Sequence, residues 1–185
     1  MLPGKRSLLF KKLGYAWEQR KLGELYQVYS GKTPSKKGLK NYSSFGIPWI
    51  RTTELNNYEI IGANIFLSNN GVKNLRVLKK NSVLLAMYGG LSQIGRTGIL
   101  MFPATINQAL SAFEPNLNID PYFLLAALNT RVSEWKPLAA SSRKDPNITK
   151  SDVENFILGY PSLEEQVLIS KIYKSFSETI VANER

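Results

Sequence analysis

The 185-residue chain carries 24 Lys+Arg against 14 Asp+Glu, a formal net charge of +10, with 43% hydrophobic residues and neither cysteine nor histidine. That length and apolar content suit one globular domain with an ordinary core. The two missing residue types exclude a disulfide framework, the usual soft ligands of zinc, copper and iron–sulfur clusters, and any Ser-His or Cys-His catalytic arrangement.

The charge is unevenly spread: residues 1–40, 41–113 and 114–185 carry net charges of +8, +4 and −2. An excess concentrated in the first two thirds favours a polyanion-facing surface there, and the last third must serve another purpose. Residues 1–16 read as a basic tail whose apolar run, Ser7 to Phe10, is too short for a signal peptide. The longest later run, around Tyr122 to Leu128, is far below the ~18 residues of a membrane span. A soluble cytoplasmic protein with no membrane partner is expected.

In chain order, the ordered part opens on WEQRKLGEL (Trp17 to Leu25), followed by a glycine- and proline-punctuated loop from Gly31 to Gly38. Ile47 to Arg51 is predicted as a short edge strand, because Pro48 cannot donate to a ladder. Val72, Leu75 and Leu78 recur every three residues and predict a short helix over 69–80, with Lys73, Arg76, Lys79 and Lys80 on its other faces. Ser82 to Tyr88 and Gly95 to Phe102 are predicted strands joined by a wide hairpin loop, Gly89 to Ile94. A further strand pair is expected within Ala104 to Glu114. Asp120 as N-cap and Pro121 at the first helical position open an apolar helix through YFLLAALNTRVSEW.

The last helix begins after Tyr160-Pro161, where Ser162 and Glu165 have capping-box spacing. Along it Leu168, Ile172, Phe176 and Ile180 repeat every four residues, and Leu163, Val167 and Ile169 widen the stripe near its start. Such a helix is roughly 36 Å long, more than a small domain needs to cover its own core. It either packs on its own domain or pairs at its far end with another helix. The expected class is α+β: a mixed domain over 17–160 with a small twisted sheet and helices, then a long C-terminal coupling helix over 161–185.

Gly90 to Thr97 matches the phosphate-loop pattern except that Arg96 replaces lysine, but the following Thr97 to Pro103 has the composition of a strand, where a phosphate loop needs a helix. Asp120-Pro121-Tyr122-Phe123 resembles the base-holding motif of amino-methyltransferases without its second proline, and a helix cap explains it. The acids cluster in the last third, where solvation is their usual role. No catalytic residue, metal site or cofactor is therefore assigned. What remains is a set of loops rich in side chains that donate to phosphates or read base edges. The DNA-binding candidates are Lys32, Thr33, Ser35, Lys36 and Lys37; Arg51, Thr52 and Thr53; Tyr88, Ser92, Gln93 and Arg96; and Arg143 and Lys144. Leu168, Ile172, Phe176 and Ile180 are the candidates for holding a partner helix.

Taken in order, WEQRKLGEL, GKTPSK, GIPWIRTTEL, SVLLAMYGG with SQIGRTGI, ATINQAL and YPSLEEQVLISKI resemble the target-recognition domain of type I restriction-modification specificity subunits from Trp17 to Arg185. The resemblance implies a mixed α/β domain that reads one half of a bipartite double-stranded DNA site. It also implies a long helix that spaces two such domains and docks methyltransferase subunits, the restriction subunit joining through the complex. By position it places the Tyr88–Arg96 hairpin, the GKTPSK loop and Arg51 near DNA. Thr105, Asn107 and Gln108 match its T-x-N-Q element, and Pro161, Glu165 and Gln166 match the entry to its helix. A full subunit carries two such domains, so the chain is expected to be a half-subunit that dimerises or a piece of a longer protein. The competing readings are a small methyltransferase-like DNA-modifying enzyme and a non-specific nucleic-acid binder.

Overall fold

A computed structural model describes residues 17–35, 39–140 and 146–183. Strands β1 (Glu18–Lys21) and β2 (Tyr29–Ser30) flank a single helical turn, α1 (Leu22–Leu25). Four short strands follow, β3 (Tyr42–Ser43), β4 (Ile47–Ile50), β5 (Glu59–Ile60) and β6 (Phe66–Leu67), then α2 (Asn69–Val72). Next come β7 (Val83–Ala86), β8 (Thr97–Leu100), β9 (Thr105–Ile106) and β10 (Leu110–Phe113). The rest is mostly helical: α3 (Pro121–Asn129), α4 (Val132–Ala140), α5 (Lys150–Asn155), a last strand β11 (Ile157–Tyr160) and α6 (Leu163–Asn183). The fold is α+β, with a five-stranded sheet ordered β2-β10-β7-β8-β5, a four-stranded sheet ordered β3-β6-β4-β9, and the ribbon β1-β11.

β7 lies in the middle of the larger sheet, and its alternating side chains feed two cores. Val83 and Leu85 join Phe113, Phe123, Leu124 and Trp135 on the helical side. Leu84 and Ala86 join Ile50, Ile106 and Leu110 on the side of the smaller sheet. Burial on both faces is why this strand reads as an unbroken apolar run and not as an alternation. Each large aliphatic side chain so enclosed contributes about 1.5–3 kcal/mol.

The cap at Asp120 forms as expected: its carboxylate accepts from the Tyr122 and Phe123 amides at 2.9 and 3.0 Å, and Pro121 occupies the first turn. At the last helix half of the expected capping box is present, the Glu165 amide donating to Ser162 Oγ at 3.3 Å. The strands of the hairpin are β7 and β8, in the register Val83↔Ile99 and Leu85↔Thr97.

Four expectations need correction. The helix over 69–80 shrinks to the one turn of α2, and Leu78 instead bridges Ala104 as a strand residue. Asn69, Asn70 and Gly71 are poor helix formers, and Gly71 packs so close to Asn41 that an added Cβ would lie 2.1 Å from its carbonyl oxygen. β4 is not an edge strand: its first half pairs with β6 and its second half with β9. The Trp49 amide reaches Ile65 O on the β6 side, while the β9 pairing starts only at Trp49, so the donor that Pro48 lacks is not needed. β9 and β10 are not a pair, because β9 runs parallel to β4 and β10 antiparallel to β7 and β2. The apolar helix breaks at Thr130–Arg131 into α3 and α4. Beyond the break Arg131 lies 4.1 Å over the Phe156 ring and donates to Ile157 O, and Trp135 stacks on the same Phe156.

Candidate nucleic-acid interface

Four connecting segments converge at one end of the two large sheets. β4 and β9 run parallel, so Arg51 and Asn107 leave them on the same side, and the Asn107 amide donates to Ile50 O at 3.0 Å. The register Leu110↔Ala86 sets the start of β10 beside the end of β7, and the Met87 amide donates to Ala109 O. β2 pairs with β10 at Ser111↔Ser30, which brings in the loop from Gly31 to Ser35.

That loop is pinned against the T-x-N-Q element. The Lys32 amide donates to Ile106 O at 3.1 Å, Ser30 Oγ to Gln108 O at 3.2 Å, and Thr33 Oγ1 to Gln108 Oε1. Trp49 Nε1 donates to Lys32 O, and the Tyr42 hydroxyl donates to Pro34 O. Thr105 is buried with its hydroxyl on Pro48 O, and Asn107 Oδ1 takes the Ala109 amide. The Thr-Asn-Gln residues therefore support the loops around them. A cleft of about 300 Å³ opens between Lys32, Thr33 and Ser35 on one side and Lys73 and Asn74 on the other. The exposed Lys32 and Lys73 form no ion pair among the described residues. Lys73 was invisible as a site residue because the three-residue spacing placed it on a helix that does not form.

Arg51, Thr52 and Thr53 lie in a tight turn around Glu54, whose side chain is only 4% exposed. Glu54 accepts from the Arg51 amide at 3.0 Å, Arg51 Nη2 at 2.9 Å, Asn64 Nδ2 at 3.2 Å and Thr53 Oγ1 at 3.0 Å. Burial pushes its carboxyl up, but the hydrogen bonds from Arg51, Asn64 and Thr53 outweigh that and hold it below the ordinary carboxylate value. Arg51 thus has one edge of its guanidinium committed to Glu54, and its Nε finds no acceptor among the described residues.

The hairpin segment is wound, not loose. The Gln93 and Ile94 amides both return to Gly90 O, and the Arg96 amide to Gln93 O. Ile94 is buried in the larger core, while Gly95, at φ +83°, sits where a Cβ would touch Trp135 at 3.0 Å. Gly89, at φ +115°, passes beside Gln93 and the Thr52 hydroxyl, so the hairpin and the Arg51–Glu54 turn meet. Tyr88 and Leu91 stand out from it, 40% and 47% exposed, and Gln93 Oε1 has no donor among the described residues. Lys36, Lys37, Arg143 and Lys144 lie outside the described residues. The Ile148 amide donates to Met87 O, at the root of the same hairpin.

α6 meets the body with a mixed face. Ile169 and Tyr173 pack against the larger core, beside Gln166 and Ser170, which are 1% and 5% exposed; Gln166 bonds the Asp120 amide, Asn118 O and Pro161 O at 2.9–3.1 Å. Leu168, Ile172 and Phe176 point outward, 59%, 58% and 68% exposed. The side chain of Ile180 lies outside the described residues. No group of three or more His, Cys, Asp or Glu residues among the described residues could hold a metal ion, and no helix there is long and apolar enough to cross a membrane.

The mixed α+β fold with its C-terminal helix agrees with the comparisons. Residues 15–185 match the type I restriction modification DNA specificity domain, and the chain belongs to that family. It is 29% identical over 170 residues to the type I restriction enzyme MjaIX specificity subunit of Methanocaldococcus jannaschii, a match covering 89% of the chain and 38% of that protein. It is 24% identical over 175 residues to the EcoR124I/EcoR124II specificity subunit of Escherichia coli, covering 91% and 42%. The chain thus spans about two fifths of the length of these curated relatives. The HsdS subunit from Thermoanaerobacter tengcongensis shares the fold, with a TM-score of 0.69 at 21% identity over 92% of this chain and 39% of that one.

Proposed function

We propose that the chain is a DNA-reading and coupling unit of a type I restriction-modification specificity subunit, acting in the cytoplasm without a catalytic centre of its own. Residues 17–160 read one half of a bipartite duplex site, and residues 161–185 dock the methyltransferase subunit, which brings in the restriction subunit. The observation that carries this reading is the convergence, at one end of the sheets, of four segments bearing Lys32, exposed Tyr88 and Gln93, with Lys73 facing Lys32 across the cleft and neither lysine in an ion pair among the described residues. In this reading Lys32 and Lys73, with Lys36, Lys37, Arg143 and Lys144, neutralise phosphates, while Gln93, Arg96, Ser92 and the Thr52–Thr53 hydroxyls discriminate bases. Arg51 acts mainly by shaping its turn.

The test is binding to duplex DNA. Cognate duplex is expected to be held roughly 10³-fold or more tighter than scrambled duplex. Replacing Lys32 and Lys73 together should weaken binding to every sequence and flatten its salt dependence by up to about two units of slope. Gln93→Ala or Arg96→Ala should relax preference at particular base pairs by ~1–3 kcal/mol. Equal affinity for all duplexes would identify a non-specific binder. Turnover of S-adenosylmethionine by the isolated chain would identify an enzyme.

The outward apolar stripe of α6 is assigned to a second helix of the same kind, in a second copy of this unit. Ile172→Glu, which puts a charge in the middle of the stripe, should then convert a sedimenting dimer to a monomer, leave the circular dichroism of the folded domain unchanged and remove the concentration dependence of its melting temperature. A chain that sediments as a monomer before and after the change would remove this assignment.

A further inference from the structure

The roots of the hairpin and of the Arg51–Glu54 turn are tied together, and both are tied to α6, through one hydrogen-bonded junction. Asn57 follows the turn by three residues and holds φ +64°; Thr97 directly follows Arg96. The Asn57 amide donates to Thr97 O at 2.9 Å, and the Thr97 amide donates back to Asn57 Oδ1 at 3.1 Å. Asn129, the last residue of α3, spans the pair. Its Oδ1 takes the Thr97 hydroxyl at 2.6 Å, and its Nδ2 donates to Asn57 O at 2.8 Å and to the Tyr173 hydroxyl at 2.8 Å. Tyr173, on α6, donates in turn to Asn57 O at 3.1 Å.

Every polar group of the Asn129 amide is used, so a shift of α6 relative to the turn costs bonds at several points together. The junction lies at the rim of the larger core. Thr97 is buried and Tyr173 packs partly on that core, but Asn57 is exposed and Asn129 only half-buried. A polar lock at the rim that joins two turns to the helix behind them fits a role in positioning better than one in bulk stability.

We propose that Asn129 and Tyr173 are positioning residues for base reading: they set the two turns relative to each other and to α6, so that sequence discrimination depends on the seating of that helix. The proposal rests on the reading of these turns as DNA-contacting. It is tested with the full chain, comparing the parent with Tyr173→Phe and Asn129→Ala. Each protein is used to select from a pool of duplexes with a randomised centre, and its affinity for one fixed scrambled duplex is measured at the same salt concentration. The expected result is a motif whose enrichment falls about fivefold in Tyr173→Phe, which loses the hydroxyl's bonds alone, and about tenfold or more in Asn129→Ala, with affinity for the scrambled duplex unchanged. Parental enrichment in both variants overturns the proposal. So does a parallel loss on pool and scrambled duplex, which is what a smaller folded fraction produces. If Asn129→Ala does not fold, Tyr173→Phe decides alone. A parent that selects no motif overturns the DNA-reading function itself, and this proposal with it.

Discussion

Replacing Gly31 by alanine is expected to destabilise the protein by about 3 kcal/mol or more, the upper end of the range for overpacked sites. An added Cβ would lie 1.9 Å from Ile106 O and 2.6 Å from Asn107 O. Both are backbone atoms, so no side-chain rotation relieves the overlap, and separating the chains breaks the bond from the Lys32 amide to Ile106 O. Against a total stability of ~5–15 kcal/mol this is a large fraction. The melting temperature should fall by roughly 6–12 °C. The Lys32–Ser35 loop should lose its seat on Gln108 in the same step, so, on the proposal that this loop contacts DNA, affinity for duplex falls further than the folded fraction does. Gly62→Ala is the control: nothing lies within 4 Å of its added Cβ. It should be neutral or stabilise by about 0.4–1 kcal/mol. Equal melting temperatures for the two variants would show that the Gly31–Ile106 approach is not a constraint.

Gly31 also illustrates which parts of the molecule could be read from the residues alone. Asp120-Pro121 was legible as a helix start because both partners of the cap, the Tyr122 and Phe123 amides, lie within three residues of it. The β7–β8 hairpin was legible for a similar reason: two apolar runs stand either side of a segment marked by glycines at 89, 90 and 95, all with positive φ. Where the deciding partner is distant, local pattern misled. Leu78 fitted a helical period, but Ala104, on the far side of the β7–β8 hairpin in sequence, pulls it into a bridge. Pro48 looked like an edge marker because the split pairing of β4 depends on β6 and β9, neither adjacent in sequence. For the candidate interface the residue types were visible, and the convergence of their loops was not. Arg51 read as a DNA-binding candidate, although Glu54 at i+3 was available as a signal that the two form a capped turn. Asn57, Asn129 and Tyr173 carried no local signal, since their contacts join segments up to 116 residues apart.

The second large effect concerns how α6 is held. Of the apolar side chains of α6, Leu168, Ile172 and Phe176 are outside and only Ile169 and Tyr173 pack partly against the larger core, while the fully enclosed residues are Gln166 and Ser170. Directional bonds therefore carry a large share of the docking, and Gln166 supplies three of them. Removing its amide in Gln166→Ala leaves the Asp120 amide and two carbonyls short of partners, at ~1–3 kcal/mol for each group that water does not reach. The combined cost is expected at about 2–4 kcal/mol. Amides of α6 should then exchange with solvent roughly 30- to 1000-fold faster, through release of the helix from the body. Leu84 and Leu85, fully buried in the central strand β7, are expected to exchange through opening of the whole domain and should change much less. Gln166→Glu keeps the shape but turns the donor into an acceptor facing Asn118 O and Pro161 O, so it should weaken docking at least as much as alanine does. If Gln166→Glu behaves as the parent, packing and not hydrogen bonding seats the helix. If α6 and β7 amides accelerate equally, the helix is part of the same cooperative unit as the sheets. Selective acceleration of α6 would mean that its orientation relative to the interface is set by contacts weak enough for a bound partner to shift.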